Sequence, residues 1–217
     1  MSTLRTLVWA AIRPVIKMLL RAPPTMDPWD RLRFPVPDAF FSVDVATGFR
    51  QYFASTSTVS AKSLNEMCEW LLATDYVADP EPFQKREVWQ DPLQFERRRQ
   101  GNCACHALWA WRKLTDLGYT AEFLAGEVRR PDGTWGQHAW VCFNQEDGPY
   151  LLESTAKERR YLVRRLADAK DDYCPRAGIG DKFERWAYCG HLHALHREFW
   201  PSKVTRRLTS AWPPARA

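Results

Sequence analysis

Gly101-Asn102-Cys103-Ala104-Cys105-His106-Ala107, Gly136-Gln137-His138-Ala139-Trp140-Val141 and Tyr150-Leu151-Leu152-Glu153-Ser154-Thr155 decide how this chain reads. In that order they offer a thiol at a helix start, an imidazole on a strand and a carboxylate on the next strand. A nucleophile, its base and a group that orients the base are the parts of thiol-dependent acyl chemistry.

Working outward from Cys103, Asn102 is a good N-cap residue, and Ala107, Leu108, Ala110, Trp111 and Leu114 supply a core face at helical spacing. A helix is predicted over 102–117, ended by Gly118. Cys103 then takes the first helical position, where free N–H groups and the partial positive charge favour a thiolate. Gly101 would let a substrate chain approach the sulfur. Cys105 lies two residues on, about 200° around the helix, so only one of the two thiols faces a given cleft. Cys103 is the candidate, with Cys105 expected beneath it. His106 shares the Cys103 face, but a rigid i, i+3 pair rarely aims imidazole at thiol, so a structural or substrate-positioning role is expected.

After Gly118 the pattern changes to strands at 120–128, 135–143 and 150–154. Pro131-Asp132-Gly133 and Glu146-Asp147-Gly148 supply the turns. Alternation puts His138, Trp140 and Cys142 on one face, and hairpin parity puts Glu153 opposite or diagonal to His138 on that same face. A carboxylate there can hold one imidazole nitrogen and leave the other for the thiol. Trp135 and Trp140 flank His138 and either line a cleft or, for Trp140, fill the core.

These three segments resemble the core motifs of the transglutaminase-like superfamily of papain-like fold: Gly-x-Cys with Ala soon after, His-Ala-Trp-Val, then an acid followed by Ser/Pro and Thr. The stretch 114–126 is also similar to the family's passage from nucleophile helix to first strand, and the likeness covers roughly residues 85–156. It implies a triad of Cys103, His138 and Glu153 acting on an amide through a thioester, with hydrolysis or acyl transfer to an amine as outcomes. The chain departs from the family in carrying Glu153 where Asp is usual. For the oxyanion, the Cys103 N–H is one donor, and Gln94 and Gln100 are candidates for another.

The fold expectation is therefore α+β: a nucleophile helix packed on an antiparallel sheet, with helical N- and C-terminal extensions. Residues 1–30 read as an amphipathic arm and Pro-rich connector, 31–200 as the catalytic domain, and 201–217 as a tail. A helix is expected over 60–75 with Cys68 buried, a loop over 76–95 marked by Pro80, Pro82 and Pro92, and largely helical structure after 157.

At 217 residues, with 45% hydrophobic and 26% charged residues, the chain can build one sizeable core and is not of disordered composition. A net charge of +5 spread over short clusters reads as solvated surface, with no nucleic-acid motif. Six cysteines show no disulfide framework. The apolar stretch at 4–21 is broken by Arg13, Pro14 and Lys17, too interrupted to span a bilayer, and no small-residue cleavage site follows it. A reduced, cytoplasmic setting is expected. The arm is expected to pack on the domain or on a partner subunit, with membrane-surface attachment as the lesser alternative. The partner expected at the cleft is a protein or peptide substrate, and no cofactor is implied.

Two readings of other classes remain open. The three residues would equally be a relic in a catalytically silent interaction module. Alternatively Cys189, His193 and His196, at helical separations of four and three, would bind zinc if Cys174 came near, although Gly190 argues against an unbroken helix.

Overall fold

The computed structural model describes residues 12–32, 45–78 and 89–200. Pro80 and Pro82, the start of the arm and the tail at 201–217 lie outside the described residues. The elements run α1 (12–19), α2 (Val45–Ala54), α3 (Leu64–Leu72), β1 (Asp75–Tyr76), α4 (Pro92–Arg98), β2 (Gln100–Gly101), α5 (Cys103–Asp116), β3 (Ala121–Arg129), β4 (Trp135–Gln145), β5 (Gly148–Leu152), α6 (Arg159–Leu162), β6 (Val163–Arg165), α7 (Leu166–Ala169), β7 (Tyr173–Gly180), β8 (Arg185–Ala187) and α8 (Gly190–Phe199). The fold is α+β.

Each helix that leads to the site starts on a cap. Ser63 accepts from Glu66 N before α3, and Asp91 accepts from Gln94 N before α4. Asn102 accepts from Cys105 N at the head of α5. The expected loop at 76–95 thus gives way to a helix at Pro92. Proline at the first helical position lacks only an N–H that has no partner there anyway, and it ends the loop rather than prolonging it.

Six antiparallel strands form one sheet in the order β6-β5-β4-β3-β7-β8. The predicted three-strand meander is its β3-β4-β5 part. Among the described residues the segment after 157 is mixed: it contributes β6, β7 and β8 to the sheet, and α8 is its longest helix. β7 pairs with β3 at the centre of the sheet.

The sheet is buried on both faces. On one, α5 is sunk along most of its length: Ala104, Cys105, Ala107, Leu108, Trp109, Ala110, Trp111 and Leu114 join Phe123, Val141, Phe143 and Ile179 in the main core. Trp70 of α3 stacks on Trp109 with centroids 3.9 Å apart. Cys68 is buried there as expected. On the other face Leu124, Trp140, Leu151, Tyr173 and Tyr188 form a second core, packed by Trp29 of the arm and Leu166 of α7. A fully buried large side chain contributes about 2–3 kcal/mol, so the paired layers fix where α5 and β4 meet.

One buried carboxylate stitches the helices together. Glu96 of α4 accepts from Ser57, from Thr58 N at 2.6 Å and from Trp109 Nε1 at 2.9 Å, and Lys113 of α5 lies 3.6 Å away. Burial works against this charge, but the donors outweigh it and hold Glu96 down at about 2.

Candidate active site

Helix α5 is positioned from its first residue. β1 and β2 form a short parallel pair, Asp75 with Gln100 and Tyr76 with Gly101, immediately before the Asn102 cap. Asn102 Oδ1 accepts from Cys105 N at 2.9 Å and is itself buried. Cys103 emerges half-buried while Cys105 is buried, so the two thiols divide as the helical geometry requires. Gly101 has a different role from the one expected. A Cβ there would lie 2.8 Å from Cys105 Cβ and 2.9 Å from the Phe95 ring, so its small size admits the protein's own packing.

His106 is a core residue. Its Nδ1 donates to Asn102 O at 3.0 Å, and burial pushes its pKa down to about 4, which keeps the ring neutral.

His138 comes from β4, and Glu153 from just past the end of β5. Val141 pairs with Leu152, so the next residue, Glu153, falls across from Trp140 and diagonal to His138, on the face the sequence parity required. Glu153 N donates to Leu162 O at 2.8 Å, which holds the chain extended past the strand. The carboxylate meets His138 Nε2 through both oxygens, at 2.9 Å and 2.8 Å. Nδ1 is not used by Glu153, and Cys103 is close enough to be one of the groups that raise the ring's pKa. The imidazole also lies nearly parallel to the Trp140 indole, 19° between planes and 6.3 Å between centroids.

Electrostatics follow from that geometry. Burial opposes the imidazolium, but the Glu153 charge and the bonds to Cys103 and Glu153 outweigh it and raise the His138 pKa. Burial likewise opposes the Glu153 carboxylate, but His138, Thr155 and Tyr173 outweigh it and hold its pKa well below the usual range. Thr155 Oγ1 donates at 2.6 Å and Tyr173 OH at 2.7 Å. Sequence reading missed both donors. Thr155 stands in the third motif two residues from Glu153, which is a usable signal. Tyr173 arrives on β7 and has no local signal.

The remaining candidates disperse. Gln94 donates its backbone N–H at the α4 cap, and Gln100 lies exposed in β2. Trp140 is a core residue, and Trp135 lies half-buried under the Arg197 guanidinium at 4.4 Å. The zinc candidates are otherwise engaged: Cys174 Sγ with Gly190 O at 3.5 Å, Cys189 Sγ with Met26 Sδ at 3.8 Å, and His193 Nε2 with Met26 O at 2.8 Å. Among the described residues no group of three or more His, Cys, Asp or Glu side chains gathers to hold a metal.

Comparison with known proteins finds likeness in structure only. No protein-family description and no curated protein sequence matches the chain. Solved structures of Legionella pneumophila LapG are similar. One is 15% identical with a TM-score of 0.46, covering 86% of this chain and 96% of that one. The EGTA-treated form gives 14%, 0.46, 86% and 96%. The calcium-bound form gives 15%, 0.43, 85% and 97%.

Proposed function

We propose that this chain is a cysteine enzyme of transglutaminase-like type that acts on amide bonds in a protein or peptide. Cys103 is the nucleophile, His138 the base and acid, and Glu153 the group that orients the imidazole. The observation that carries this reading is the buried His138–Glu153 pair beside Cys103, with the thiol at the head of α5. The motif resemblance supports it.

In this mechanism His138 already holds on Nδ1 the proton given up by the Cys103 thiol, and the thiolate Sγ of that pair attacks the substrate carbonyl carbon. The Cys103 N–H, unpaired at the first helical turn, faces the developing oxyanion. The C–N bond breaks as the imidazolium protonates the departing amine, leaving a thioester. Water, or a second amine, then loses a proton to His138 and displaces Sγ. Throughout, the buried Glu153 charge stabilises the imidazolium that both halves of the reaction require.

Iodoacetamide labelling followed by mass spectrometry tests the pair directly. At neutral pH Cys103 should label faster than Cys105, and His138→Ala should slow Cys103 by about tenfold or more. Cys103→Ala should abolish peptide hydrolysis with the circular dichroism unchanged, whereas Cys105→Ala should retain most of it. Essential Cys105 with dispensable Cys103 would overturn the nucleophile assignment. A Cys103 as slow as a free thiol and indifferent to His138 would point instead to a silent interaction module.

A further inference from the structure

Helix α1 is turned the wrong way for a helix that merely packs on a domain. Two of its basic residues lie along α8 while staying exposed: Arg13 is 3.8 Å from Glu198 and 5.3 Å over the Phe199 ring, and Lys17 is 4.9 Å over Trp200. Ile16 and Leu20 are half-buried beside them. The opposite face is apolar and bare, with Val15 53%, Met18 68% and Leu19 74% exposed. Among the described residues nine large apolar side chains are exposed, and six of them (Ile12, Val15, Met18, Leu19, Met26 and Trp200) belong to α1, the segment after it and the end of α8. Singly exposed apolar residues are ordinary; a cluster of them on adjoining segments marks a contact surface.

Charge identifies the contact. The whole chain carries 31 basic and 26 acidic residues, a net +5; its first 26 residues hold Arg5, Arg13, Lys17 and Arg21 and no acid, so four of the five net charges sit on this arm. Arg21 is exposed at the end of the apolar stripe, and Trp200 stands beside Lys17. Basic side chains and a tryptophan bordering an apolar stripe are the composition of a helix that lies in a lipid–water interface. No helix among the described residues is long and apolar enough to cross a membrane.

We propose that the outer face of α1 docks this protein onto an anionic lipid surface, with Val15, Met18 and Leu19 entering the acyl boundary and Arg21 meeting the headgroups. The catalytic site would then work on substrates held at that surface.

Co-sedimentation of the full chain with vesicles is the test, using phosphatidylcholine alone and phosphatidylcholine mixed with phosphatidylglycerol. The wild type should pellet with the mixed vesicles and at least about fivefold less with the neutral ones, since each basic residue at such a surface contributes about fivefold. The double variant Val15→Asp, Leu19→Asp should lose this capture with its thermal melt unchanged, because both side chains point away from the domain. Arg21→Glu, which leaves the apolar face intact, should weaken capture by about tenfold. Failure to pellet, equal capture by neutral vesicles, or undiminished capture of the double variant would each overturn the proposal. A lowered melt in the double variant would show the face to be packed within the chain. A wild-type dimer that the double variant abolishes, without vesicle binding, would assign the face to a second copy.

Discussion

Glu153 accepts from His138 Nε2, from Thr155 through both Oγ1 and N, and from Tyr173 OH, which in turn accepts from Arg164 at 3.3 Å. Glu153 lies past the end of β5, where its arm, one methylene longer than an aspartate's, brings both oxygens to the ring. Since burial by itself pushes the His138 pKa down and Glu153 raises it, Glu153→Gln should let burial prevail. The ring's NMR titration should then fall below its ordinary value near 6.5, and Cys103 labelling should slow by about tenfold to a hundredfold. Tyr173→Phe removes one neutral donor from four, so its effect should be smaller, within about tenfold. An imidazole that still titrates high in Glu153→Gln would mean that the carboxylate is not what charges it.

At the scale of elements, α5 and the β3-β4-β5 meander are readable from sequence because each announces itself locally: Asn102 caps, Gly118 stops, and alternation sets the strands. That local signal also places the three site residues, since β-parity needs only the turn between 145 and 148 to be right. β7 is not readable. Its sequence, Tyr-Cys-Pro-Arg-Ala-Gly-Ile-Gly, carries a proline and two glycines that argue against a central strand. The structure resolves the conflict with a register shift: Ala125 pairs with Ala177 and Gly126 with Pro175, so Arg176 is the extra residue and Pro175 stands at the irregularity. Gly126 makes this possible, since a Cβ there would meet Cys174 O, and Pro175 Cα at 2.8 Å. Gly126 also pairs with His138 on its other side. Gly126→Ala should therefore force β7 away, cost about 1–3 kcal/mol in urea denaturation, and draw Tyr173 off Glu153. A variant with wild-type stability and labelling would show that β7 approaches by some other accommodation.

Across the whole molecule, stability against acid is set by imidazoles sealed inside the fold. His106 is fully buried under the α5 cap, and burial lowers its pKa from 6.5 to about 4. His191, pressed by burial and by Arg176, is lowered to about 4 as well. In the unfolded chain both rings take up a proton near 6.5, whereas the folded chain resists until about 4, so stability present above 6.5 is lost as pH falls through that window. For His106 the loss amounts to about 3 kcal/mol. Below the usual carboxylate range Glu96 and Glu153, both held down in the fold, add to the loss. His138 acts in the opposite sense. Its raised pKa contributes stability that is complete below 6.5 and declines as pH rises toward the folded value. The stability maximum should accordingly lie near neutrality, with the steeper fall on the acid side. His106→Gln keeps a donor for Asn102 O but cannot titrate. In urea melts across the acid range it should lose about 3 kcal/mol less than the wild type between neutrality and pH 4. Parallel profiles for the two proteins would mean that the α5 cap opens before the ring is charged, and that the nucleophile helix is not the unit that acid attacks first.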